Sequence, residues 1–236
     1  MVLGRGNTLG VCFSRTADLV VGAALVPFAV AALREVRHSR ELPFALLPAV
    51  FAVHQFIEAA VWPSATSDAF AIHLAVRAYL FIAMSLLPTL VPLSVLLLEP
   101  HGLRLRVAPF VVLGGVVSAY LGYVVLCRPV KVVVHPHALE YQHSVQYGVV
   151  WAVLYIIAVI GPALLSGYPS IVAFGILNLV GLVVVAVVYI HAFASLWCIY
   201  AAAVSVLVVV HMIRRRRLPD AHRSLGGALH SAIRSI

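Results

Sequence analysis

The sequence predicts an all-α membrane protein, a bundle of about seven transmembrane helices with its N-terminus outside and its C-terminus cytoplasmic. Three observations carry that reading. Of 236 residues, 63% are hydrophobic and only 10% charged, with a mean hydropathy of +1.07. A soluble domain carries roughly 45–50% apolar and about 25% charged residues, so this chain cannot cover a globular surface with charge, and it is far too apolar for disorder. The apolar residues gather in runs of about 20, the length that spans a bilayer as a helix. The basic residues gather at the ends of those runs.

Taken in order, the first apolar segment runs from Asp18 to Leu33, the second from Leu42 to Trp62 and the third from His73 to Leu98. The fourth runs from Val107 to Leu126 and the fifth from Val145 to Leu165. The stretch from Ile171 to Met212 is twice the length of one crossing and must turn once, most naturally around Tyr189, His191 and Ala192 where polarity rises. This gives an N-terminal extension over 1–17, a seven-helix domain over 18–212 and a basic cytoplasmic tail over 213–236. Pro48, Pro88, Pro92 and Pro162 fall inside segments; Pro88 and Pro92, one turn apart, predict a bent third segment. A secretory signal with an apolar core at 19–28 and a cleavage site at Ala29-Val30-Ala31 is the competing reading of the first segment. The arginines immediately after it favour a retained helix.

Orientation follows from the basic residues. Arg34, Arg37, Arg40, Arg104 and Arg106 share a side with Arg214, Arg215, Arg216, Arg217, Arg223 and Arg234. Arg5, Arg15, Arg77, Arg128 and Lys131 lie on the other. The richer side is the cytoplasmic one. The net charge of +8 belongs to this pattern and to anionic lipid, with no basic, aromatic-interleaved patch of the kind that binds nucleic acid.

Ionisable groups inside a bilayer cost several kcal/mol and are functional candidates by default. His54 and Glu58, four residues apart on one helix face, are the clearest pair. Cys12, Ser14 and Asp18 at the start of the first segment reach the same outer depth, as do Arg77 in the third and His191, Ser195, Trp197 and Cys198 in the seventh. Together they predict one outward-facing pocket for a small ligand, with Arg77 neutralising Glu58 or Asp18. His54, Glu58 and Cys12 form the candidate set for one transition metal. His135 and His137, in the outer loop 128–144 with His143 nearby, are a secondary candidate for zinc or copper if an extended backbone turns both to one side. Asn178 is expected to hydrogen-bond between helices, His211 and the four adjacent arginines to anchor the inner face, and Trp62, Tyr120 and Tyr168 to sit in interfacial belts. The single lysine, Lys131, lies in a loop, which excludes a retinal Schiff base in the last helix. Nucleotide-binding glycine patterns and the G-x-S-x-G elbow are absent. Three cysteines without a C-x-x-C pair make neither a disulfide framework nor a zinc ribbon.

The stretch CFSRTADLVVG (12–22) resembles the start of an uncharacterised bacterial integral-membrane protein family whose members begin Met-Cys-Phe-Ser, a domain of unknown function. The resemblance extends through ELPFALLPAVFAVHQFIEAAVW (41–62), PLSVLLLEP (92–100), GPALLSG (161–167) and FASLWCIYAA (193–202). It implies a multi-pass protein of the bacterial plasma membrane and brings no activity with it. Family members start where this chain has Val11, so the expectation is translation from position 11, read there as a GTG codon, and a mature N-terminal Cys12. Its amine and thiol would chelate a metal or form a nucleophile with its own base. Two alternatives stand beside ligand binding. A membrane-embedded metal-dependent hydrolase would use His54, His191, Asp18 and Ser14 in the manner of alkaline ceramidases, whose final-helix histidine pair is missing here. A haem or redox protein would use His54.

Overall fold

The computed structural model describes residues 14–65, 67, 69–135, 138–143, 145–188 and 204–217. Helix α1 spans Arg15–Arg34. A short turn of 3-10 helix at Ser39–Glu41 leads through α2 (Leu42–Ala45) into α3 (Leu47–Val61). α4 (Phe70–Phe81) continues through a π-helical segment, Ile82–Leu86, into α5 (Leu87–Leu98). α6 covers Arg104–Cys127, α7 Gly148–Leu164, α8 Pro169–Val188 and α9 Val206–Arg217. Four helical runs are long and apolar enough to cross a membrane: Arg15–Arg34, Ser39–Val61, Phe70–Leu98 and His101–Cys127. Gly148–Leu164 and Pro169–Val184 are shorter apolar helices. The predicted turn at 189–192 lies outside the described residues.

α1 starts three residues before the expected Asp18 because Ser14 caps it, its hydroxyl accepting the N–H of Ala17 at 3.4 Å. Its buried face is Asp18, Gly22, Leu25, Ala29 and Ala32, a stripe with helical spacing made mostly of small residues. Small residues let helices approach closely without the help of water. A Cβ on Gly22 would sit 2.9 Å from the ring of Phe56 on α3.

The third segment does deviate near its prolines, in a specific form. Pro88 has no N–H for the carbonyl one turn earlier, and the ladder widens into the π segment upstream of it. Side chains from other helices satisfy the carbonyls there. The Tyr155 hydroxyl of α7 donates to Ala83 O at 2.8 Å, and the Ser118 hydroxyl of α6 donates to Ser85 O. Ser85 donates in return to Ser118 O at 3.0 Å, and Thr89 donates to Ser118 Oγ at 2.7 Å. Gly114, Ser118 and Gly122, at four-residue spacing, bring α6 against this segment. A Cβ on Gly114 would lie 1.8 Å from the carbonyl oxygen of Pro88.

The all-α expectation needs one correction. Between α6 and α7 stands an antiparallel hairpin, β1 (Val130–His135) against β2 (Ala138–His143), in the register Val130 opposite His143 through His135 opposite Ala138. The β-branched run Val-Lys-Val-Val-Val favours a strand over a loop. The strand carrying His135 is the first of the pair and Ala138 opens the second. His137 itself lies outside the described residues.

Two apolar cores follow the length of the bundle. One unites Leu25, Phe44, Leu47, Val91, Leu98, Ile171 and Met212. The other, at the hairpin end, unites Val61, Val76, Tyr79, Leu80 and Val125 with Leu139 and Tyr141 of β2. The opposite end holds the turns around Glu41, Glu99 and Ser166 together with Arg215.

Candidate functional site

Among the described residues α3 carries three buried polar side chains. His54 is 1% exposed, and Gln55 and Glu58 are 0%. Successive helix positions are offset by about 100°, so Gln55 and His54 flank Glu58 and the three form one polar arc. The His54 ring stacks on Tyr79 of α4, centroids 3.9 Å apart, and Tyr79 stacks on Tyr141 of the hairpin at 4.7 Å. The hairpin thus closes this end of the bundle over the arc. The amide of Gln55 has no hydrogen-bond partner among the described residues, on either its oxygen or its nitrogen. An unmade hydrogen bond at a buried amide costs about 1–3 kcal/mol.

Asp18, on α1, is 2% exposed. Its Oδ2 accepts the indole N–H of Trp62 at 2.7 Å. Trp62 is therefore a structural partner inside the bundle as well as a residue near its end. Ser14 is the cap of α1 and not a wall of the arc. Arg77 departs from the expectation that it would neutralise Glu58 or Asp18. Its guanidinium donates to the carbonyls of Val125, at 3.2 Å, and Leu126. A cation at the C-terminal carbonyls of α6 complements the negative end of that helix. Cys12, His137, His191, Ser195, Trp197 and Cys198 lie outside the described residues. Among the described residues no three His, Cys, Asp or Glu side chains come together, so His54 and Glu58 have no third described ligand.

The other end holds polar groups of which the sequence reading named Arg215, Tyr168 and His211 and passed over Glu41, Glu99 and Ser166. Glu41, 6% exposed, accepts the backbone N–H groups of Arg37 at 2.9 Å and His38 at 3.3 Å, and its Oε1 lies 3.3 Å from Arg215 Nε. Arg215 also donates to Leu98 O at 3.4 Å and lies 5.6 Å from the centre of the Tyr168 ring. Glu99, 0% exposed, accepts the Ser166 hydroxyl at 2.5 Å and the Gly167 N–H at 3.0 Å. His211, expected with the four arginines at the inner face, is buried at this end. It is 2% exposed, its Nδ1 lies 2.7 Å from the Ser170 hydroxyl, and Phe44 and Tyr168 meet its ring edge-on. Glu99 and Ser166 come from two of the stretches that carry the family resemblance, and Glu41 opens a third. Asn178 donates to Phe174 O, four residues back on its own helix, at 2.8 Å, so its described bond is not the expected interhelical one.

Membrane-length apolar helices that hide carboxylates, an amide and imidazoles define a helical membrane protein. The chain belongs to DUF6629, a family of unknown function whose model matches residues 11–224. Neither a curated protein nor a solved structure matches it.

Proposed function

We propose that the chain crosses the bacterial inner membrane seven times, with the C-terminal arginines cytoplasmic and the hairpin outside, and binds a small polar ligand in the arc on α3. The orientation follows the arginines, which gather at the end opposite the hairpin. The single observation that carries ligand binding is Gln55, whose fully buried amide has no partner among the described residues. Buried polar groups in proteins are nearly always hydrogen-bonded, and a bound ion, water or ligand is one of the ways in which an exception is satisfied. Glu58, on the same face of α3, supplies an acceptor, and the hairpin supplies a cover. Cys12, His191, Trp197 and Cys198 remain candidates for the far wall, and His54 with Glu58 for a metal.

The test is native mass spectrometry on full-length protein purified without a histidine tag. The expected result is a retained small species on the wild type that is absent from Gln55→Leu. An unliganded mass for both proteins overturns the reading. Metal analysis of the same samples identifies the species as zinc, copper or iron if one equivalent is present and is lost on Glu58→Gln.

A further inference from the structure

Charge at the arginine end is sorted by depth. Among the described residues the acids there are turned inward. Glu41 and Glu99 are buried and bonded within the protein, and Glu35 is half-buried. Arg215 and Arg104 are spent on the same interior. Arg215 meets Glu41 and the Leu98 carbonyl, and Arg104 Nε donates to the next carbonyl, Glu99 O, at 3.2 Å. Arg34, Arg37, Arg106 and Arg214 face outward. All four are exposed, and their guanidinium groups have no partner among the described residues. Bare apolar side chains stand beside them. Leu105, between Arg104 and Arg106 in the chain, is 83% exposed, and Ile213, next to Arg214, is 40% exposed. The first turn of α6, which carries Arg104 and Arg106, contains no acidic residue.

We infer that this rim binds anionic phospholipid by its headgroup, an assignment that needs the chain to span a membrane and is independent of the arc on α3. The exposed arginines lack an internal counter-charge, so their counter-ion is external. Cations interleaved with exposed leucine and isoleucine fit the headgroup layer of a bilayer, where the apolar chain enters the acyl boundary and the cation stays with the phosphates. A guanidinium takes two phosphate oxygens at once, which makes arginine the fitting residue. A choline headgroup carries its own cation and gains less from the same surface. The hairpin end, where Arg15, Arg128 and Lys131 are exposed, is a comparison of lower positive charge.

The test uses full-length protein reconstituted into vesicles of phosphatidylglycerol and phosphatidylcholine in equal amounts. The protein is then extracted gently in detergent, and the lipids that stay bound are counted by mass spectrometry. Both leaflets carry the same mixture, so the result does not depend on orientation. Retained phosphatidylglycerol is expected to exceed phosphatidylcholine by about fivefold or more, the worth of a single arginine at an anionic surface. The excess should shrink in high salt, because exposed charges are screened. Arg34→Gln, Arg37→Gln, Arg106→Gln and Arg214→Gln together should bring the two lipids close to parity and leave the melting midpoint in detergent unchanged, since these side chains hold nothing within the protein. Arg106→Gln alone should give a partial loss, which keeps the test decisive if the fourfold variant does not fold. Arg15→Gln, Arg128→Gln and Lys131→Gln together should keep most of the excess. Equal retention of both lipids by the wild type overturns the inference, as does an excess that the rim variants leave untouched, or one lost only with the hairpin-end cations. A protein that enters the vesicles and shows no preference refutes the rim alone; one that does not enter them refutes the membrane-spanning reading.

Discussion

At the scale of single residues, two adjacent glycines have opposite roles. A Cβ on Gly114 would collide with the Pro88 carbonyl at 1.8 Å, whereas one on Gly115 meets nothing within 4 Å. Gly114→Ala should therefore force α6 away from the π segment, at a cost of about 3 kcal/mol and a fall in the melting midpoint of roughly 6–12 °C. Gly115→Ala should leave the midpoint unchanged or slightly raised, since it replaces glycine in an open helical position. Thermal unfolding of the two variants side by side checks the contrast, and equal midpoints would refute the close contact. The same scale shows what was legible in the polar residues. The spacing of His54 and Glu58 places them on one face whatever surrounds them. The burial of Gln55 was hidden, because its side of α3 is defined by α1, a helix whose face the sequence states only through the small residues Gly22, Ala29 and Ala32. The destination of Arg77 was hidden for the same reason: nothing local to it names the end of α6.

At the scale of elements, the helices were legible because an apolar run of about 20 residues leaves the backbone no other way to satisfy itself in lipid. The deviation of the third segment was legible in Pro88 and Pro92. Its π form was not, since it depends on Ser118 and Tyr155 from elsewhere in the chain. The hairpin was missed because its second strand, Ala-Leu-Glu-Tyr-Gln-His, reads as polar loop, although the valines of the first strand signal it. A two-stranded hairpin is marginal alone. This one is held by burying Leu139 and Tyr141, the latter against Tyr79. Tyr141→Ala should remove about 2–3 kcal/mol of packing and loosen the hairpin locally. Lys131, the only lysine, is exposed on β1, so a lysine-specific protease reports on that loosening at a single bond. Faster cleavage in the variant is expected, and an unchanged rate would show that the stack does not hold the hairpin.

For the whole molecule, the described turns separate into two ends: the hairpin, Trp62 and Cys127 at one, and Glu41, Glu99 and Arg215 at the other. Cys127 is a free, exposed thiol at the C-terminus of α6. In intact cells, with Cys12 and Cys198 replaced by serine, a membrane-impermeant maleimide should label Cys127. A cysteine placed at the exposed Arg214 should stay unlabelled until the membrane is opened. The reverse pattern would invert the proposed orientation.

The clamp formed by Arg215 has a consequence in time. Glu41 leaves the ribosome early, and its guanidinium partner follows about 170 residues later, which at ordinary rates of synthesis is roughly 10–35 seconds. Through that interval the first turn carries a carboxylate whose arginine has not been made, and the carbonyl of Leu98 also waits for the same side chain. Among the described helices α9 is the last to be made, and its Arg215 joins Glu41 to the carbonyl of Leu98 at this end.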